Sequence, residues 1–344
     1  MIKEAFGLDI GATTIKLVCL EKQKDGYLLK SALTMPAPLK GLMSESPLDE
    51  EEMARAIQKI VSEGNVDTKN VNVALAENQV YTKVLEMPIL SDKELASAIY
   101  WEAERHIPVP LTSITLAWTI LKQPENPTVN EKMQVLMVGA PTVLVVKYQK
   151  ILTMAGLNIN AMETEILSTA RALVIGEVFP TTLIISIGSI TTSIAIIKRN
   201  VMIFTYTMAV GGTAINRAIA TDLALTPEQA EEYKRVYGIA DQTLGGKIGK
   251  ATQPILSAIL AEAKKAIAYY NQKYSNEDPI RQILLSGGTA KLPGIDMYFA
   301  QNSGIETAIA NPWKVLSPQP VPKDILDNAS DYTIAVGLAM KDYE

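Results

Sequence analysis

Residues 7–17, GLDIGATTIKL, return without a gap 177 positions later as residues 184–194, IISIGSITTSI, and this repeat constrains the fold more than any other feature of the chain. Ile10, Gly11 and Thr14 of the first copy match Ile187, Gly188 and Thr191 of the second. Each copy opens on an apolar run, places a glycine where a tight turn needs freedom in φ, adds a hydroxyl-rich step and returns as a β-rich strand. A single unit of this kind also describes a plain β-hairpin, and short glycine motifs match by chance. Two copies say more, because the backbone N–H groups and hydroxyls of two such turns can grip one phosphate chain from opposite sides. The repeat therefore predicts two related halves facing one nucleotide.

The 344 residues suit two domains or one larger composite. A net charge of −5, with lysines and arginines dispersed, gives a duplex-binding surface no electrostatic basis, so nucleic acid is not an expected partner. The only cysteine, Cys19, lies in the apolar run LVCL, cannot form an internal disulfide, and fits a packed strand in the cytoplasm. The opening MIKEAFGLDIG lacks the apolar core of a secretion signal. No apolar run reaches the roughly 18 residues that would cross a bilayer, so the chain is expected to be soluble. His106, the only histidine, falls at the end of a predicted helix, where the helix dipole accounts for it; without a second histidine or a cysteine partner it predicts no metal site.

Strands and helices alternate along the chain. TIKLVCLEKQ, the turn Asp25-Gly26 and YLLKSALTM complete a three-stranded meander. A helix follows, with acids after Asp49 at its positive end, a stripe of Met53, Ile57, Ile60 and Val61, and Gly64 as its stop. VNVALA reads as a strand. From about residue 80 to 160 the character changes: QVYTKVLEMP, a helix capped by Ser91 and Glu94, the strand pair LAWTIL and MQVLMVGAP around the loop KQPENPTVNEK, and the helix VLVVKYQKILTMAGL read as an inserted α+β module. The second half repeats the plan with a meander turning at Arg199-Asn200, then Gly211-Gly212-Thr213 opening a helix whose free N–H groups suit an anion. Thr226, Pro227 and Gln229 form a capping box for the helix EQAEEYKRVYG, on which Glu231 and Lys234 share a face. Taken alone that pair reads as an exposed intrahelical ion pair. A long helix through Ile255 to Tyr270 precedes the strand RQILLSGG, where Gly287-Gly288 lets backbone approach a ligand. The proline-rich stretch NPWKVLSPQPVPKDI reads as irregular, and DYTIAVGLAMK as a last short helix.

GLDIGATTIKL, ISIGSITT, Gly211-Gly212 with EEYK behind it, LSGGTAKLPG and YTIAVGLAM, in that order, resemble the phosphate, adenosine and connecting motifs of the actin-like ATPase superfamily. The segments LEMPILSDKELASAIYWEAERHIPVPL and AGLNINAMETEILSTARAL are similar to the PilM family, actin-like cytoplasmic proteins of type IV pilus assembly with an FtsA-like build. The resemblance implies an α/β, actin-like (ribonuclease H-like) fold of two lobes with an inserted subdomain. It implies a first large subdomain of residues 1–80, 160–180 and 328–344, an inserted small subdomain of 81–159, a second large subdomain of 181–215 and 270–327, and a small subdomain of 216–269. It also implies ATP and Mg2+ as ligands. Asp9 would orient the magnesium ion through water, Gly11, Ala12, Thr13 and Thr14 would wrap the terminal phosphates, and Lys16 would neutralise them. Gly188 and Ser189 would supply the opposing turn, Glu231 and Lys234 would bracket ribose and base, and Gly211, Gly212, Thr213, Gly287, Gly288 and Thr289 would complete the floor.

One residue departs from the pattern. Ser186 stands where these proteins commonly carry an acid, and a neutral hydroxyl holds magnesium-bound water weakly and is a poor general base near pH 7, so tight binding with slow or absent hydrolysis is expected. Glu163 or Glu165 is the remaining candidate carboxylate, and the sequence places neither. The implied function is a scaffold that captures the N-terminal cytoplasmic tail of a PilN-like inner-membrane protein, with pilus assembly ATPases as further partners and self-association open. Rival readings are an FtsA-like division filament, a scaffold of a related secretion system, an active actin-like ATPase and a small-molecule kinase. The filament would be expected to end in a linker and amphipathic membrane helix, whereas this sequence closes on MKDYE; the kinase would need a positioned base in the cleft.

Overall fold

The computed structural model describes residues 4–40, 42, 44–124, 131–175, 179–240, 245–317, 319 and 321–343. Most of the loop KQPENPTVNEK, and Pro318 and Pro320 of the proline-rich stretch, lie outside the described residues.

Both predicted meanders are present. β1 (Phe6–Ile10), β2 (Thr14–Gln23) and β3 (Gly26–Pro36) are followed by α1 (Pro47–Glu63) and β4 (Asn70–Leu75). Then come β5 (Tyr81–Met87), α2 (Asp92–His106), β6 (Ile114–Lys122), β7 (Met133–Pro141), α3 (Thr142–Met154), β8 (Asn158–Thr164) and α4 (Glu165–Leu173). The second half runs β9 (Thr182–Ile187), β10 (Thr192–Lys198), β11 (Val201–Met208), α5 (Gly212–Leu223), α6 (Pro227–Tyr237), α7 (Lys247–Lys273), β12 (Gln282–Ser286), α8 (Ile295–Ser303), β13 (Glu306–Ile309), α9 (Lys323–Asp327) and α10 (Thr333–Met340).

Two five-stranded sheets have the same construction. One is ordered β3-β2-β1-β4-β8 and the other β11-β10-β9-β12-β13. In each, the meander is antiparallel and the two added strands are parallel to the first strand. Every residue of β1 is buried, as a central strand covered on both faces requires. Met53, Ala54, Ile57 and Ile60 of α1 pack into the first sheet's core, and Ile215, Ile219, Ile259 and Ala263 of α5 and α7 into the second's. A third sheet, β5-β7-β6, carries Leu95, Ile99 and Ala103 of α2 on one face. On its other face, Leu136 joins Ile184, Ala195 and Ile197 of the second lobe.

The structure corrects several readings. β8, α4, α8 and β13 were not expected from local pattern. α3, read with the inserted module, puts Leu144, Tyr148, Ile151 and Leu152 into the first sheet's core. Trp313, Val315 and Ile325, read with the second lobe, pack with Val18, Leu20 and Tyr27 of the first. Gly64 ends α1 as expected, in right-handed geometry, and Asn65 after it takes the positive φ, 46°. α7 begins at Lys247 and accommodates Pro254 inside it.

Candidate functional site

Gly11 N–H bonds Thr14 O at 3.0 Å, and Gly188 N–H bonds Thr191 O at 2.8 Å, so the repeated segments fold into the same turn. Among the described residues, the amides of Ala12, Thr13, Ser189 and Ile190 have no hydrogen-bond partner inside the chain, and both turns line one cleft of about 1210 Å3 between the lobes. Every expected site residue except Gly211 lines it. Gly211 lies behind the second turn, where a Cβ would come within 2.7 Å of Gly188 O, so its role is to let α5 close on that turn.

The walls are electrically unequal. On the first lobe, Asp9 is opposite Lys16 in the β1–β2 ladder and pairs with its Nζ at 3.2 Å; both are largely buried. At the repeat positions of the second lobe, Ser186 is opposite Ser193, and Ser186 is also in register with Ser286 of β12. A fixed ion pair is thus replaced by a row of hydroxyls. Lys16, expected to meet phosphates, is held by Asp9 in this geometry and stands ready beside the first turn.

The fold separates the two glutamates that the sequence could not. Glu163 is buried against Arg171, which grips both carboxylate oxygens. Glu165, at the start of α4, lines the cleft. Its carboxylate accepts the Glu77 N–H at 3.4 Å, while Ile166 N–H donates to Glu77 Oε2 at 3.2 Å. Burial, with Asp9 and Glu77 adding negative charge, raises the Glu165 pKa to about 8. Burial likewise raises Glu77 to about 7. Both acids are thus easier to keep neutral in the folded chain than in the unfolded one. Their contribution to stability is full below the unfolded value near 4.5 and is lost as pH rises through about 7 to 8. Glu165→Gln should therefore flatten the fall in unfolding free energy across that window and exceed the parent at pH 8.5 by roughly 2–4 kcal/mol, read by chemical denaturation at pH 5, 7 and 8.5.

The second lobe supplies the remaining wall. Glu231 pairs with Lys234 at 2.7 Å and also holds the Asn216 side-chain amide, and Lys234 is only 9% exposed. The pair faces the cleft, with Lys234 buried and Glu231 exposed, so it is more than the helix-surface bridge that spacing alone described. The first amides of α5 are not free: Gly212 N–H donates to Gly188 O at 2.9 Å, Thr213 N–H to Ser189 O at 2.7 Å, and Ala214 N–H to Gly211 O at 3.0 Å. That helix start therefore braces the second turn and leaves the turn's own amides as the ones without a partner inside the chain. Thr289 Oγ1 donates to Gly188 O at 3.1 Å, tying the Gly287-Gly288 strand end to the same turn. Gly287 needs its φ of 84° and leaves no room for a side chain against Ile187.

The sequence reading missed Ser286, Ser330, Lys291 and Asp331. Ser286 Oγ, Ser330 Oγ and Asp331 Oδ1 are buried, unpartnered and belong to residues lining the cleft, while Lys291 Nζ bonds Asp331 Oδ2 and Asn328 Oδ1, both at 2.6 Å. Ser286 had a visible signal, since it ends the strand before the glycine pair; Asp331 and Lys291 meet only through the fold. Cys19 is half-buried in β2 with its thiol pKa pushed up by burial, and no cluster of metal ligands occurs among the described residues. No helix among them is long and apolar enough to cross a membrane.

Twin sheets of one order, joined about a cleft into which the same turn projects from each side, define an actin-like ATPase fold. MreB5 of Spiroplasma citri bound to AMPPNP shares that fold, with a TM-score of 0.55 at 14% identity over 100% of this chain and 96% of that one. The chain belongs to the family of type IV pilus assembly protein PilM, whose model matches residues 7–343. A PilM–PilN type IV pilus biogenesis complex superposes with a TM-score of 0.87 at 25% identity, covering 100% of both chains. Cell division protein FtsA of Streptococcus pneumoniae is 24% identical over 355 residues, covering 92% of this chain and 77% of the relative.

Proposed function

We propose that this protein binds Mg2+–ATP in the interlobe cleft and, so clamped, serves as a cytoplasmic scaffold of type IV pilus assembly. Its partner is the N-terminal cytoplasmic tail of a PilN-like inner-membrane protein, which recruits it to the inner face of the membrane; pilus assembly ATPases are further partners. The observation that carries the reading is the convergence of both glycine turns, Asp9, Lys16, Glu231 and Lys234 on one cleft. The unpartnered amides and oxygens there fit a polyanion with its hydrated cation. Asp9 orients the magnesium ion, Gly11 to Thr14 with Gly188 and Ser189 enclose the phosphates, and Lys16 leaves Asp9 to meet them. Glu231 and Lys234 hold the ribose and base, and Gly287, Gly288 and Thr289 form the floor beneath. The proposed subdomains keep the expected limits except for α3 and residues 313–325, whose packing supports counting them with the first lobe.

Coupling between nucleotide and tail requires that the two lobe arrangements differ in affinity for the tail. Titrating a labelled tail peptide with and without ATP checks this, and equal affinity would remove the gating.

Hydrolysis is slow or absent in this reading because Ser186 offers no carboxylate and Glu165 holds its proton at neutral pH. Glu165 also gives the rival reading of an active ATPase its one support, since a carboxyl group does stand in the cleft. Single-turnover assays decide between them: the parent should turn over at a trace rate and Ser186→Asp about 10-fold to 100-fold faster, in line with general-base contributions. Brisk turnover by the parent, lost in Glu165→Gln, would establish the rival.

A further inference from the structure

A second cavity, of about 290 Å3, lies at the seam where β5 of the inserted module meets β11 of the second lobe. Its walls include Thr82 and Lys83 from β5, Thr205 from β11, His106 from the end of α2, and Glu77. Glu77 is only 2% exposed, and its Oε1 is buried without a hydrogen-bond partner, as are Thr82 Oγ1 and Thr205 Oγ1. Thr82 lies close enough to steady the Glu77 carboxylate without the geometry of a formed bond. Folded proteins leave few buried oxygens unsatisfied, and three around one cavity call for an occupant rich in N–H donors.

We propose that this seam cavity is a binding site for a single guanidinium group, anchored by Glu77 and the Thr82 and Thr205 hydroxyls. One carboxylate among neutral hydroxyls is too few anionic ligands for a divalent cation, whereas a planar fork of five donors matches them. Lys83, exposed at the cavity with its Nζ 3.3 Å from His106 Nδ1, supplies a positive group for the ligand's own carboxylate or carbonyl. The guanidinium comes either from free arginine or from an arginine side chain in a docked chain. Glu77 N–H donates to the Glu165 carboxylate and Ile166 N–H to the Glu77 carboxylate, so an occupant held by Glu77 would be coupled to the acid that lines the interlobe cleft. That coupling rests on the nucleotide reading; the binding does not.

His106 makes the test local, since one histidine gives one set of imidazole resonances. Free arginine and N-acetyl-arginine amide are titrated into the nucleotide-free protein at pH 8, where Glu77, with its pKa raised to about 7, is ionised, with potassium chloride at matched ionic strength as the control. Both ligands should shift the His106 resonances saturably with a Kd of order 1 mM, and the tighter of the two identifies the source. Glu77→Gln, which keeps an acceptor for Ile166 N–H, should weaken binding by about 10-fold, and Thr205→Val by about 3-fold, on the scale of a lost charged and a lost neutral hydrogen bond. An absent or unsaturable response, an equal response to potassium, or undiminished binding by both folded variants overturns the site. Repeating the titration with ATP present reads the coupling separately, so loss of nucleotide binding and loss of the site are distinguishable.

Discussion

Gly337→Ala will destabilise the protein by about 3–5 kcal/mol, near the upper end of what one added methyl group does. A Cβ at position 337 would lie 1.9 Å from Ser168 O and 2.5 Å from its carbonyl carbon, so α10 cannot approach α4 as it does. The obstacle is backbone, which cannot swing aside as a long side chain would. β1 makes the same demand from the other side, because a Cβ at Gly7 would meet Ala335 O at 2.1 Å. α10 is thus wedged between the first lobe's central strand and α4 by two positions that tolerate only hydrogen. The comparison that isolates the steric effect is Gly156→Ala, where φ is 80° but nothing lies within 4 Å. That change carries only the left-handed backbone penalty of roughly 1–2 kcal/mol. Urea denaturation of the two variants should differ clearly in midpoint; similar midpoints would mean that α10 can shift at little cost.

Lys16→Ala should weaken ATP binding by about 100-fold, or about 2.7 kcal/mol, and ADP binding by less. The ammonium is mostly buried, so its attraction for phosphate is screened less by salt than that of a surface lysine. The substitution also leaves Asp9 without its partner, a buried carboxylate next to the incoming phosphates. Asp9→Asn is the matched control. Measured without magnesium, so that the proposed role of Asp9 at the cation does not enter, it should restore part of the ATP affinity lost in Lys16→Ala when the two are combined, since the uncompensated charge is then gone. Calorimetric titration with ATP and ADP measures all three variants, and unchanged ATP affinity in Lys16→Ala would remove this lysine from the site.

The parts of the fold that could be read in advance share a physical cause: local pattern and tertiary role agreed. The two hairpins have apolar strands and a forced turn, and α2 and α6 carry side-chain caps at Ser91 and Thr226 that the structure retains. The unread elements lack such agreement. β13 has four residues, ETAI, and α8 is one short helix between Gly294 and Gly304. β8, NINAMET, has few β-branched residues and takes its strand form from pairing with β4. In the cleft, motif spacing located the turns, but three things depended on how distant segments cross: which of Glu163 and Glu165 faces inward, where Asp331 meets Lys291, and how the α5 amides are consumed. Hydrogen-bond competition of that kind leaves no mark on a single segment.

The replacement of the Asp9–Lys16 pair by Ser186–Ser193 on the opposite wall breaks the equivalence of the repeated halves. Only the first turn has an ion pair at its base, and the Glu231–Lys234 pair of the second lobe belongs to α6 rather than to its turn, so arrival and capture are expected to be successive events. A phosphate chain should be drawn first to the turn that carries Lys16, at a rate that falls with ionic strength, and the hydroxyl-lined turn should then fold over it at a rate that depends far less on salt. Salt should accordingly slow loading while leaving the lifetime of the loaded state nearly constant.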